Sequence, residues 1–404
     1  MPIYAAWRQF LKRIRRKGAM RRQISLSIFV RFLIYFTHWM VLAHLPILLK
    51  ARGFSDIQIG LAISLYSLSS MMLMLPMGAF SDFFSPKRTI LGGALLFGVS
   101  FLSLMFFDSF WPIMGAITVS GLGVAALIVV SESLYLKLFG NKKRGARIGL
   151  YQLSTYLGFG LGPLTGGFLL NYSDTALFGT ALGTSVLIFL GALGLKDCPP
   201  INFSFRKYGA DLKRPKALLL TACVFMLGTH FGVEQTSFSL LLKENLALSP
   251  QKIGLVFCWI GLWMALIVPF IGRLHDRHKS LFLFLIIGLG ISGLFQMLTA
   301  FTTSLPWLLS VRLLHTIGDT FALLELSILV TIFFPTARLG GSAGFMYAVR
   351  TTATFLSAIL AGVLNRYWGY GFSFLSNGLL VVIFAITCLL FITLSKNRKN
   401  AVGW

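Results

Sequence analysis

Eleven residues able to carry a charge or a proton lie inside long apolar stretches of this chain: Arg31, His38, His44, Glu132, His230, Glu234, Arg312, His315, Asp319, Glu325 and Arg350. An ionisable side chain in hydrocarbon costs about 3 kcal/mol or more, so each needs a partner or a task. Their spacing suits proton chemistry. His230 and Glu234 are four residues apart, as are His315 and Asp319, and Arg312 extends the second pair into an i, i+3, i+7 stripe. On a helix each pair shares a face. A carboxylate beside an imidazole can hold and release one proton. Glu132, Glu234, Asp319, Glu325, His230 and His315 are therefore candidate proton-coupling residues. Arg31, Tyr35 and His38 form a second polar stripe, and with Arg312 they are candidates for orienting a solute. Trp259 and Trp263, with Tyr66, Met71, Met72 and Phe321, suit contact with an amphiphilic or hydrophobic one. The competing reading is structural: interhelical ion pairs, side chains snorkelling to the surface and rings facing lipid. His275 and His278 are read as solvated loop residues. No Ser/His/Asp arrangement and no Cys/His metal spacing is present, so no enzyme activity, metal or cofactor is expected. Cys198, Cys223, Cys258 and Cys388 are read as small buried hydrophobes.

The elements that must position these groups are apolar. The chain has 404 residues, 56% of them hydrophobic and 12% charged, with mean hydropathy +0.80. A soluble domain is about 25% charged, so a soluble enzyme, a disordered regulator and a secreted disulfide scaffold are excluded. Runs of about 20 apolar residues, each long enough to cross a bilayer as a helix, predict twelve spans: 26–49, 57–80, 89–107, 111–136, 148–170, 175–195, 217–242, 253–272, 281–301, 305–334, 343–364 and 371–394. The expected fold is all-α and integral to the membrane. All of the eleven intramembrane groups except Arg350 fall on spans 1, 4, 7 and 10.

The net charge of +24 would suggest nucleic acid in a soluble protein. Here most Lys and Arg residues fall in alternate connections, and the opposite loops hold only Lys50, Arg52, Lys243, Lys252 and Arg366. This bias predicts both termini in the cytoplasm and makes the charge a topology signal; no nucleic-acid partner is expected. In segment 1–25, Trp7, Phe10, Leu11 and Ile14 form one helical face, flanked by Arg8, Lys12, Arg13, Arg15 and Arg16. It reads either as an amphipathic helix on an anionic leaflet or as a basic tail. No signal peptide is read there.

The two halves repeat at an offset of 193 to 195 residues. Gly78-x-x-x-Asp82 matches Gly272-x-x-x-Asp276, and Gly123, Gly145, Gly149 and Gly167 match Gly318, Gly340, Gly344 and Gly362. Six spans return the chain to its starting side, so the repeats are parallel. The expected parts are a basic segment 1–25, halves 26–195 and 217–394, a polar linker 196–216 and a tail 395–404. With these features the chain resembles the major facilitator superfamily of transporters over its full length. The family's loop signature, Gly-x-x-x-Asp-Arg/Lys-x-Gly-Arg-Arg/Lys, is kept at Gly78, Asp82, Lys87 and Arg88 but departs at Phe83 and Ser85. The second copy keeps Gly272, Asp276 and Arg277. The resemblance implies that these residues latch the cytoplasmic ends of the halves together. Span 5 carries Gly158-Phe-Gly160-Leu-Gly162-Pro163-Leu-Thr-Gly166-Gly167, similar to an element of the family's drug/proton antiporters. It offers a side-chain-free groove and a proline for close packing and pivoting. The family's cavity is lined by spans 1, 4, 7 and 10, which agrees with the clustering of charge.

Two features depart from proton-coupled members. Ile117 stands where many carry an Arg four residues before the glycine that is here Gly121, and histidines replace the usual acid of span 1. Arg312 offers the missing cation in the second half. Gly288-x-Gly290-x-x-Gly293 mimics a dinucleotide fingerprint but lies inside a span, so helix packing is expected. No P-loop is present, so energy must come from a gradient. The expected function is proton-coupled export of an amphiphilic or hydrophobic small molecule by alternating access. The alternatives are proton-coupled uptake of a small polar or anionic solute, and lipid or lysolipid flipping. The protein is expected to be a monomer in the bacterial inner membrane, with protons, a small-molecule substrate and the bilayer as partners.

Overall fold

A computed structural model describes residues 2–138, 144–197, 205–278 and 282–401. Among these residues every regular element is helical: α1 (Pro2–Leu42), α2 (Leu45–Ala51), α3 (Asp56–Phe83), α4 (Pro86–Phe106), α5 (Phe110–Leu138), α6 (Arg144–Leu169), α7 (Asp174–Leu193), α8 (Phe205–Leu212), α9 (Pro215–Val233), α10 (Pro250–His278), α11 (Leu283–Thr299), α12 (Leu305–Phe333), α13 (Leu339–Trp368) and α14 (Tyr370–Ala401). Ten helices are long and apolar enough to cross a membrane. Two of the twelve expected spans fall short of that measure: α6 is not among the ten, and α11 is a shorter apolar helix.

The boundaries follow local chemistry. Ser55 and Gln58 form a reciprocal capping box at the start of α3, and the Ser173 hydroxyl caps α7. The first span breaks at Ala43–His44 instead of running through, because Pro46 has no amide to give back to Leu42. Gly369, at φ +80°, makes the one-residue turn between α13 and α14. After Val233 the seventh span continues as two π turns, Glu234–Phe238 and Leu241–Asn245, which nothing in the sequence pattern announced. The helix of segment 1–25 is continuous with α1; the side chains of its proposed amphipathic face lie outside the described residues, as does Cys198. Cys223, Cys258 and Cys388 are free and buried.

Helices α3 and α13, and α6 and α10, make the broadest contacts, and both pairs join one half to the other. These seams are backbone against backbone. A Cβ on Gly78 would meet the backbone of Gly340 and Gly344, and one on Gly272 that of Gly145. These are repeat-related contacts. In α6 the glycines divide by face: Gly158, Gly162 and Gly166 abut Phe32, Phe36 and Met40 of α1, whereas Gly160 and Gly167 abut α10 and the residues at its start. Helix α6 runs unbroken through Pro163. Gly288 and Gly293 pack on the backbones of α12 and α14, a packing role with no strand beside it.

Candidate functional site

Between the halves lies a cavity of about 160 Å³, lined from α1, α3, α5, α6, α9 and its first π turn, α10, α12 and α13. Helices α4, α7, α11 and α14 contribute nothing to its wall. Two charged clusters face it, one from each half.

In the first half Arg31 is fully buried and pairs with Glu132 at 3.0 Å. It also donates to the Ile128 carbonyl (2.9 Å), Ser131 (3.2 Å), Thr155 (3.1 Å) and the Tyr35 hydroxyl (3.1 Å). Glu132 accepts two further bonds from the other half, from Ser327 at 3.1 Å and from the Tyr347 hydroxyl. One carboxylate thus faces one guanidinium, whose five N–H donors all have partners. His38 bonds Tyr66 at 2.8 Å on the cavity wall.

In the second half the expected His230–Glu234 contact along one helix is not made. Glu234, at the start of the π turn, instead takes a bidentate pair from Arg312 at 2.6 and 2.8 Å. The planar guanidinium matches both oxygens, which an imidazole cannot. His230 turns to Asp319, with Nε2 3.4 Å from Oδ2. His315 Nε2 lies 3.2 Å from the same oxygen and 3.8 Å from Glu234. From α11, Ser292 completes the site: its carbonyl receives His315 Nδ1 at 2.8 Å and its hydroxyl donates to Asp319 Oδ1 at 2.7 Å. A carbonyl only accepts, so His315 Nδ1 bears the hydrogen. In the neutral ring its Nε2 then presents a lone pair to a carboxylate oxygen.

Other candidates fall elsewhere. Glu325 is fully buried and bonds His275 at 2.8 and 2.9 Å, away from the cavity wall. His275 is thus buried, not solvated, because α10 extends past the expected end of its span. Trp259 is 52% exposed on the outer face of α10, and Trp263 donates to the Leu313 carbonyl at 3.1 Å. Neither lines the cavity; the inward stripe of α10 is Phe257, Ile260 and Met264. Arg350 does line it, against the structural reading of span 11. Its guanidinium sits 4.5 Å from the Tyr347 ring centre and 5.3 Å from that of Phe231. Among the described residues no carboxylate pairs with it.

At the basic end of the bundle, Asp82 accepts from the amides of Gly340 and Gly341, and Asp276 from those of Gly145 and Ala146, at 2.8–3.1 Å. Each carboxylate caps the first turn of a helix from the opposite half, where free amides and the helix dipole attract an anion. Asp82 also pairs with Lys137 at 2.6 Å, a residue outside the signature. The Lys87 ammonium donates to the Leu193 carbonyl instead and its backbone amide to Asp197, Arg88 lies over Phe84, and Arg277 is exposed.

Comparisons with known proteins fit this architecture. An uncharacterised MFS-type transporter of Methanocaldococcus jannaschii is 22% identical over 79% of this chain and 85% of its own length. The quinolone resistance protein NorA of Staphylococcus aureus is 25% identical over 61% of this chain and 65%, just under two thirds, of its own length. Among solved structures, the human organic anion transporter MFSD10 superposes with TM-score 0.72 at 20% identity, covering 91% of this chain and 99% of that one. A POT family transporter reaches 0.74 at 15%, covering 92% and 96%; these two likenesses speak to the fold alone. The Major Facilitator Superfamily model matches residues 27–239 and 218–403, one match for each half of the repeat, and the chain belongs to that superfamily of membrane transporters.

Proposed function

We propose that this is a twelve-span secondary transporter with both termini cytoplasmic, exporting an amphiphilic small molecule in exchange for protons taken up at the Asp319 cluster. Helices α6 and α11 complete the twelve, and the basic connections set the orientation. The protein works as a monomer in the inner membrane.

The observation that carries the reading is the unequal charge of the second cluster. Glu234 and Asp319 bring two negative charges, and Arg312 returns one. A buried site favours neutrality, and His230, His315 and Asp319 offer a proton a place beside the lone pair of His315 Nε2. Protonation and substrate then bias the rocking of the halves in opposite senses. The likeness to NorA, a quinolone resistance protein, supports a drug-like amphiphile as substrate. A second reading has its own observation: Arg350, which pairs with no carboxylate among the described residues and sits in an aromatic wall, favours an amphiphile that carries a negative charge. Arg31 and Arg312 are each paired with a carboxylate and leave that role to it.

In proteoliposomes, Asp319→Asn is expected to abolish transport driven by a proton gradient while preserving substrate counterflow. Undiminished gradient-driven flux in this variant would exclude Asp319 as the coupling site.

A further inference from the structure

His230, His315 and Asp319 converge more closely than a shared proton requires. Their three ligand atoms lie within 4.8 Å of one another, and all three residues are buried. From Asp319 Oδ2 the two imidazole Nε2 atoms stand at 3.2 and 3.4 Å. Bonds of 2.0–2.2 Å to a tetrahedral ion place neighbouring ligands about 3.3–3.6 Å apart, so the two measured edges are close to those of a coordination shell. The outer contacts match for two of the three ligands, His315 and Asp319, while His230 Nδ1 has no hydrogen-bond partner among the described residues. A metal-bound histidine commonly gives its other N–H to a carbonyl, and a bound carboxylate is itself hydrogen-bonded. Ser292 does both, through its carbonyl to His315 Nδ1 and its hydroxyl to Asp319 Oδ1. His315 Nε2 is buried and has no hydrogen-bond partner among the described residues.

We propose that His230, His315 and Asp319 form a binding site for one divalent transition-metal ion of the zinc type, with its remaining position open to the cavity. Imidazole and carboxylate together suit zinc, cobalt and nickel. The nearest cation, Arg312, is neutralised by both oxygens of Glu234, so the cluster presents a net negative charge to the ion. His230 and Asp319 are on the cavity wall, which gives the ion a way in. The ion uses the lone pairs that the coupling proton would use, so metal and proton exclude each other.

The test uses purified, tag-free, full-length protein titrated with Co²⁺, with no gradient and no substrate. Binding is therefore read independently of proton coupling. The expected result is one Co²⁺ per chain, with the visible absorption of a four-coordinate centre and displacement by Zn²⁺. That signal is lost in His315→Gln and in Asp319→Asn and kept in His278→Ala, an exposed histidine. Ser292→Ala preserves every ligand and is expected to weaken binding about 10–100-fold, which reads the site even if the ligand variants do not fold. No stoichiometric Co²⁺ in the wild-type protein, or an unchanged signal in His315→Gln or Ser292→Ala, overturns the proposal.

Discussion

In the first half Arg31 meets a single carboxylate, whereas in the second Arg312 meets one of two. The first cluster is closed: Glu132 is tied to Arg31 in its own half and to Ser327 and Tyr347 in the other. The second is open, because Asp319 holds only a serine hydroxyl and two imidazoles. A balanced pair fixes geometry and has no use for a proton. An unbalanced one needs a proton or another cation. On the proposed function, two halves of one repeated fold divide the labour of anchoring and coupling.

The sharpest way to break this contrast is a matched pair of neutralisations. Asp319→Asn is expected to remove gradient-driven transport altogether, and Glu132→Gln to lower its rate while leaving its pH dependence in place. A pH profile flattened by Glu132→Gln, measured in the same proteoliposomes, would erase the distinction between the clusters. Next in size is the anchor itself. Arg31→Ala strands a buried carboxylate and is expected to cost about 3–5 kcal/mol of stability, read as a lowered melting temperature. Arg31→Lys should not restore it, since one ammonium cannot serve five directed bonds; full rescue by lysine would show that charge alone anchors the site.

The repeat-related latches give a smaller contrast. Asp82→Asn leaves Lys137 without its carboxylate, whereas Asp276→Asn strands no such cation among the described residues. Both lose charge-assisted bonds worth about 1.5–3 kcal/mol, and Asp82→Asn should give the larger drop in melting temperature. Equal drops would mean that Lys137 contributes nothing. At the cavity wall, Arg350→Ala is expected to raise KM for an anionic amphiphile about tenfold, near 1.4 kcal/mol, and to leave a neutral analogue unaffected. A parallel rise for both would place Arg350 in the fold and not in recognition. Smallest of all, Trp259→Ala should leave transport within about twofold, as befits an exposed residue; a large loss would bring that outer face into the substrate path.

Much of the frame was legible in advance. The apolar runs located the helices, and the charges on spans 1, 4, 7 and 10 pointed at the cavity. The His315–Asp319 approach followed from spacing alone. What spacing could not give was pairing between helices. Glu234 left His230 for Arg312, and Ser327 and Tyr347 reached Glu132 from the far half, because guanidinium and hydroxyl donors compete for a carboxylate through space. Trp259 and Trp263 were misjudged since an all-apolar helix hides which face turns inward. Arg350 and Ser292 lay on helices whose sequence gave no hint that they reach the site. Segment 11 looked structural, and a single serine in span 9 carries no signal.

The glycine seams have a consequence for the turnover of the machine. Ordinary interfaces freeze side chains as they form and release them as they part, at up to about 2 kcal/mol per long side chain. Where Gly78 meets Gly340 and Gly344, and Gly145 meets Gly272, the touching surfaces have no rotamers to freeze. The entropy of the two seams is nearly the same joined or separated there. In the proposed cycle, such a contact can therefore be close without a side-chain entropy cost each time it forms.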